Sequence, residues 1–401
     1  MPNLANKSQC TGCTACASTC PQSCIQMREN AEGFLYPVIK DNFTCISCGA
    51  CERICPILND NQKNKEQTKA YAALSKDDGI RMESSSGGVF SELAKLVLQA
   101  NGIVYGASYD KDFKVKHIGI ENVELLGKLR GAKYSQSDLS TIFQTIKMRL
   151  DTDRQVLFSG TPCQIGGLKA FLKRDYNNLF CIDFVCHGVP SPLVWRKYVE
   201  FRARIDDNSN APEYINLRNK ESGWSHYSYK VEFAYPGRKR YLCRNNEDLF
   251  MNLFVKNYIL RRSCSDCHFK GYNRVADITL GDFWGIWDII PDMDDNKGTS
   301  LVLTHSDNGE KLLKSAADNL RYNQVTLAQA TMMNTSLLKS SSSQPSRDKV
   351  LNEIVQNGFD AKGKITEIIN QEEIRASSSL QNTNQRSGLA FIKRIIQILH
   401  G

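Results

Sequence analysis

With 401 residues, 41% of them hydrophobic, the chain has room for two or three domains with true cores. No stretch approaches membrane-spanning length and the N-terminus, Met1 to Gln9, is polar, so a cytoplasmic protein is expected. The formal charge of +8 is scattered without a binding motif, which argues against nucleic acid, and fifteen cysteines in a reducing compartment favour metal ligation over disulfides.

One cysteine rhythm is written twice near the start: Cys10, Cys13, Cys16 and Cys20 before Pro21, then Cys45, Cys48, Cys51 and Cys55 before Pro56. C-x2-C-x2-C-x3-C-P is the spacing of a bacterial two-cluster ferredoxin, in which the fourth cysteine of each run serves the other cluster. Two 4Fe-4S clusters are therefore expected, one on Cys10, Cys13, Cys16 and Cys55, the other on Cys45, Cys48, Cys51 and Cys20. Three thiolates on a short loop can converge on three irons of one cube. The small residues Gly12, Ala15, Gly49 and Ala50 let backbone amides approach the sulfurs, and proline then turns the chain away. Zinc, whose ligands usually come as two separated pairs, suits this spacing poorly. Between the runs, Gly33, Phe34, Tyr36 and Val38 predict a hairpin.

Residues 1–58 thus read as a ferredoxin-type unit and residues 59–69, NDNQKNKEQTK, as a charged linker. From Ala70 the pattern changes. The run Ser84-Ser85-Ser86-Gly87-Gly88 leads into an amphipathic stretch from Val89 to Gln99, and Gly102 to Ala107 reads as a buried strand. Gln155 to Ser159 is β-prone and runs into Gly160-Thr161-Pro162-Cys163 and a helical pattern, while Leu179 to Val185 is a strand ending at Cys186-His187-Gly188. Strand, chemistry-bearing turn and helix in succession are the grammar of an α/β unit. The expected division is 70–150 and 151–336. Residues 337–401 are expected to form a polar, flexible tail with a disordered Ser340 to Ser346. The tail ends in a basic amphipathic helix, Leu389 to Leu399, expected to pack on its own domain, with an anionic membrane surface as the less favoured alternative.

Seven cysteines remain. Cys163, Cys186, Cys264 and Cys267 sit in loop settings that suit ligands, and Cys24, Cys181 and Cys243 are assigned to packing. Spacing leaves two readings open for the four: a third cluster, or two buried cysteines with a CxxC that is a zinc half-site or redox pair.

The segments SSSGGVFSEL, GAKYSQSDL, SGTPCQIGGLK, FVCHGVPSP and RRSCSDCHFKGYNRVADITLGDFWG resemble the signature blocks of the family of coenzyme F-420 hydrogenase and dehydrogenase beta subunits. The resemblance runs from about residue 70 to 330 and implies a two-part α/β body binding FAD, here fused to a dicluster ferredoxin: an α+β and α/β chain. It places Cys163, Cys186, Cys264 and Cys267 at the family's cysteine positions, implying a third 4Fe-4S cluster. It also implies that Ser86, Gly87 and Gly88 lie near FAD, where amides at a helix start could hold its pyrophosphate; a plain helix cap is the alternative. Lys133 and Tyr134 are candidates for contact with phosphate or the flavin ring, although Ala132 stands where a serine is common. Thr161, Asp282 and Trp284 join the expected cofactor site, the Gly-Asp-Phe-Trp turn either lining the pocket or closing a domain by aromatic packing.

The function implied is an oxidoreductase passing electrons from a ferredoxin-like donor through the clusters to FAD and on to a small organic substrate, with surface-polysaccharide metabolism as one setting. A relay component that wires a partner enzyme to its electron source, and a coenzyme F-420 oxidoreductase, are the alternatives. His187 and Lys133 are the candidate catalytic residues. His187 suits proton transfer near pH 7, against an alternative role in bonding sulfur or backbone.

Overall fold

The computed structural model describes residues 2–40, 44–59, 67–207 and 209–371. At the N-terminus, two short helical turns, Ala15–Thr19 and Ala50–Arg53, flank an antiparallel hairpin of β1 (Ile25–Glu29) and β2 (Leu35–Ile39). The expected hairpin between the cysteine runs is therefore present. Gly12 adopts a left-handed φ of 70°, and a Cβ there would stand 2.5 Å from Gln136 Nε2 and 2.9 Å from the Leu35 carbonyl. Only glycine lets the cysteine loop lie this close to the rest of the molecule.

The body is built on one mixed sheet. Its strands are β3 (Lys69–Ser75), β4 (Ile103–Tyr109), β5 (Val115–Ile120), β6 (Val156–Ser159) and β7 (Leu179–Phe184). A second sheet is formed by β8 (Tyr214–Asn219), β9 (Lys230–Ala234) and β10 (Arg240–Arg244). The chain then returns to the large sheet with β11 (Ile278–Asp282), β12 (Ser300–Thr304) and β13 (Leu320–Val325). The large sheet has the order β13-β3-β12-β11-β7-β6-β4-β5. β11, β7, β6 and β4 run parallel at its centre, and antiparallel strands flank them. Ligands in such sheets bind beyond the carboxyl ends of the parallel strands.

The expected boundary at residue 150 does not divide the sheet, because strands from both sides of it pair: β4 runs beside β6 from Ile103↔Val156 to Tyr105↔Phe158. Beside the large sheet, the small sheet packs with the helices Pro192–Asp207, Leu249–Val255 and Arg347–Asn357 round Trp195, Tyr198, Phe233 and Phe250.

The serine-rich stretch is also not a disordered tail. Ser340 Oγ accepts from the Cys267 amide at 2.9 Å, Ser341 donates to the His187 carbonyl, and Val350, Leu351 and Ile354 are fully buried. Apolar residues beyond the serines supply the burial that composition alone concealed. Residues 60–66 of the expected linker and the expected helix Leu389 to Leu399 lie outside the described residues.

The two faces of the large sheet carry separate cores. Val89, Leu93 and Val97, one helical stripe of Val89–Gln99, pack with Val104, Leu157 and Ile182 on one side. On the other side Phe158, Phe143, Ile165 and Leu168 pack together with Cys13, Ala15 and Ile54, so the N-terminal unit shares the body's core.

Within this shared core the N-terminal unit closely approaches Gly167, where a Cβ would lie 2.8 Å from Cys13 Cβ and 3.0 Å from its sulfur. Gly167→Ala gains up to about 1 kcal/mol of helix propensity, so a net loss requires the clash to exceed that figure. We expect G167A to lose roughly 1–3 kcal/mol of stability in chemical unfolding. The control G127A meets nothing within 4 Å and should not be destabilised.

Candidate redox and ligand site

The eight N-terminal cysteines fall into two groups. Cys10, Cys13, Cys16 and Cys55 line one cavity, with Leu4, Met27 and Pro37 as its apolar wall. Cys20, Cys45, Cys48 and Cys51 line another, together with Cys24, whose sulfur is 3.3 Å from that of Cys20. Each grouping takes its fourth member from the other run. Burial raises the Cys13 thiol to about 12, and proximity of Cys10 and Cys55 adds to the rise. Thiols crowded this way resist ionisation until a cation compensates them, which fits a cluster's irons.

Cys163, Cys186, Cys264 and Cys267 also converge. Burial holds the Cys163 thiol far above its usual range, and Cys186, Cys267 and Cys264 each push it further. Cys163 occupies the first turn of Pro162–Leu172, where the Thr161 hydroxyl lies 3.1 Å from its sulfur and the Thr161 amide donates to Gln164 Oε1 at 2.9 Å. The Val189 amide points at Cys264 sulfur at 3.5 Å, and Lys270 donates to the carbonyls of Cys186 and Ser336, both at 2.6 Å. Among the described residues no three His, Cys, Asp or Glu side chains gather tightly enough to hold a single metal ion. A thiolate zinc site would bring its sulfurs within about 3.8 Å of one another.

Beside Cys163 is a cavity of about 320 Å³. It opens at the carboxyl ends of the parallel strands, with Thr161 following β6, Val185 following β7 and Asp282 ending β11. Thr11 and Gly12 of the N-terminal unit form part of its wall, as does Cys163. Ser86, Gly88, Lys133, Tyr134, Thr161 and Asp282, all expected at the cofactor site, line this one space.

The electrostatics are specific. Arg218 is 5% exposed and holds Asp282 with two 2.9 Å hydrogen bonds, donates to Tyr134 OH at 3.1 Å and stacks on Tyr229 at 4.0 Å. Lys133 is half-buried, donates to the carbonyls of Arg130 and Gly131 at 2.7 and 3.1 Å, and desolvation draws its pKa down to about 7. Lys220 donates to the carbonyls of Arg81, Ser86 and Lys297 at 2.6 to 2.7 Å and so fixes the serine turn from behind. Among the described residues, the Ser135 hydroxyl and Nε of Arg218 are buried without a hydrogen-bond partner, although both residues line the cavity. Polar groups in that state suit a ligand bearing several hydrogen-bonding atoms.

Three expected residues lie elsewhere. Gly87 does not present its amide to a ligand: the amide donates to Ser300 Oγ at 2.9 Å, and a Cβ would strike the Ala73 carbonyl at 2.6 Å. Trp284 stacks on Trp224 at 4.5 Å in an aromatic cluster, the packing alternative. His187 packs edge-on against Phe254 and lies 3.4 Å from Ser336 Oγ, outside the cavity wall. Asp277, in the same sequence block as Asp282, is structural, accepting from the Cys181 amide and Ser306. Sequence reasoning missed Arg218, Lys220 and Gln136, because each acts through partners remote in sequence.

Residues 153–329 match the family model for the C-terminal part of the coenzyme F420 hydrogenase/dehydrogenase beta chain, and residues 9–58 match the 4Fe-4S dicluster domain. The F subunit of the F(420)H(2) dehydrogenase of Methanosarcina mazei is 25% identical over 197 residues, 45% of this chain and 55% of that protein. The chain thus spans about half the length of the curated relative it matches. A chain of the F420-reducing NiFe hydrogenase complex from Methanosarcina barkeri overlaps with a TM-score of 0.42 and 17% identity, covering 77% of this chain and 92% of that chain. No helix among the described residues is long and apolar enough to cross a membrane.

Crossed ligation gives a direct prediction. Cys55→Ser should remove the EPR signal of the cluster assigned to Cys10, Cys13 and Cys16 and leave the other in place, although Cys55 belongs to the second run. Loss of the Cys45-run signal instead would refute the grouping.

Proposed function

Since the chain belongs to the family of coenzyme F420 hydrogenase/dehydrogenase beta subunits and carries a 4Fe-4S dicluster domain, we propose that it is an iron-sulfur flavoprotein oxidoreductase. In this reading a ferredoxin-like donor delivers electrons at the N-terminal unit, and FAD and an organic substrate share the 320 Å³ cavity. The observation that carries it is the wall of that cavity, to which Thr11 and Gly12, next to Cys10 and Cys13, contribute alongside Cys163. Thiolate sites and ligand space meet with no intervening domain.

Clusters held by these cysteines would supply one-electron transfer, and a flavin would couple it to two-electron chemistry. The side chains do the rest. Arg218, fixed by Asp282, orients Tyr134 at the cavity wall. Glycine at positions 106 and 281 keeps the wall low, and Ile182, Val189 and Leu280 exclude water. Lys133 offers a positive charge or a proton at Nζ to an anionic ligand. Cys163, Cys186, Cys264 and Cys267 would hold a third cluster between the N-terminal unit and the cavity. His187, turned towards Ser336, is better suited to fixing the Cys186 loop than to protonating substrate.

Anaerobically purified protein should be brown and carry stoichiometric flavin that reoxidises with a small molecule. Flavin-free protein that passes electrons only to a partner enzyme would favour the relay alternative. The pH dependence has a definite sign. Lys133 is charged below about 7 and loses its charge as pH rises through that value, so affinity for an anionic flavin should fall above neutrality. Lys133→Met should weaken flavin binding roughly tenfold at pH 6, the contribution of one charge-assisted hydrogen bond, and flatten the pH profile. A titration by flavin fluorescence checks both.

A further inference from the structure

Arg261, only 1% exposed, stands at the junction of the N-terminal unit and the body. Its Nε donates to the Cys10 carbonyl at 2.8 Å, one terminal nitrogen donates to Gln136 Oε1 at 3.0 Å, and the other lies 3.9 Å from the Cys10 sulfur. The guanidinium stacks on Tyr36 at 4.0 Å, with Phe34 at 5.5 Å. On its own backbone, the Arg261 carbonyl accepts from the Cys264 amide at 3.0 Å. Burial raises the Cys264 thiol, and the Arg261 charge opposes that rise. One side chain therefore addresses the Cys10 set and the Cys264 set together.

From this geometry we infer that Arg261 is a positioning residue that seats the Cys10 cluster against the body and raises its reduction potential relative to the cluster on Cys20, Cys45, Cys48 and Cys51. Reduction adds one negative charge to a thiolate-bound cluster, and a fixed cation nearby favours that state. The field is effective because the guanidinium is buried and little screened by solvent. Glu32 on the same hairpin does not cancel it, since Glu32 is matched by Arg262 at 2.9 Å and Arg347 at 3.0 Å. The other cluster site has its own arginine, Arg53, which donates to the Cys48 carbonyl at 2.9 Å, but Arg53 and Cys48 are exposed and solvent screens that charge. The pair of clusters is thus made unequal by a residue outside the ferredoxin motif, with the higher potential on the side facing the cavity.

The inference rests on the ligand grouping proposed above, and it holds whether the chain is a reductase or a relay. The test is an EPR-monitored redox titration of reconstituted full-length protein, with iron content measured in parallel. Arg261→Gln should move the midpoint of the Cys10 cluster to more negative potential and leave the Cys45 cluster where it was. Arg261→Lys, which keeps the charge, should restore most of the wild-type value, an outcome that a purely structural role would not give. If R261Q loses the cluster, Gln136→Glu supplies a second route, because a carboxylate 3.0 Å from the guanidinium offsets its field and should produce the same negative shift. An unchanged Cys10-cluster midpoint, or equal shifts of both clusters, would overturn the inference. Failure to incorporate iron in the wild-type protein would instead refute the underlying cluster reading.

Discussion

The docking of the N-terminal unit on the body is the constraint from which the rest follows. Cys13 and Ala15 enter the body's core beside Ile165 and Leu168, Gly167 admits Cys13 at contact distance, and Arg261 ties the Cys10 carbonyl to Gln136. Around this centre lies a polar rim in which Glu29 pairs with Arg196 at 2.6 Å, and Glu32 joins the exposed Arg262 to the buried Arg347. Rim pairs of this kind add little energy when exposed, whereas the buried contacts fix orientation. The unit is held with its Cys10 side inward and Cys48 outward.

That orientation gives the parallel strands their role. β6, β7 and β11 deliver Thr161, Val185 and Asp282 to one rim, and the helix after β6 begins with Cys163 in its first turn. Gly167, which touches Cys13, lies four residues beyond Cys163 on the same helix, about 6 Å along its axis. The cysteine group of the ferredoxin motif and the proposed group of the body are therefore separated by roughly one helical turn. The cavity wall includes Thr11 and Gly12 from the one and Cys163 from the other. Arg218 is balanced there by Asp282, and buried Arg274 nearby by Asp183, whereas Lys133 is held by carbonyl groups and the Tyr109 ring.

The sequence made local chemistry legible and long-range packing opaque. The doubled cysteine rhythm and its crossed partition could be read from spacing because the ligands are close in sequence. The strand-turn-helix at Gly160 to Cys163 was readable for the same reason. Arg218 sits in a short strand with no motif around it, and its role depends on Asp282, 64 residues away. Nor could spacing show that β4 and β6, on either side of the expected boundary at residue 150, pair in one sheet. The serine run after 339 looked disordered from composition, yet Ser340 and Ser341 bond to the Cys267 and His187 backbones. Gly87 resembled part of a phosphate cradle, but strand packing takes both its amide and the space beside it.

EPR of the fully reduced, anaerobically reconstituted protein tests the arrangement most directly. If the Cys10 cluster lies between the outer cluster and the proposed Cys163 cluster, its signal should be broadened by magnetic coupling to both neighbours, and Cys264→Ala should remove one coupling while the outer cluster's signal persists. Three independent, uncoupled signals would contradict the inward docking, and a colourless protein containing zinc would contradict the account as a whole.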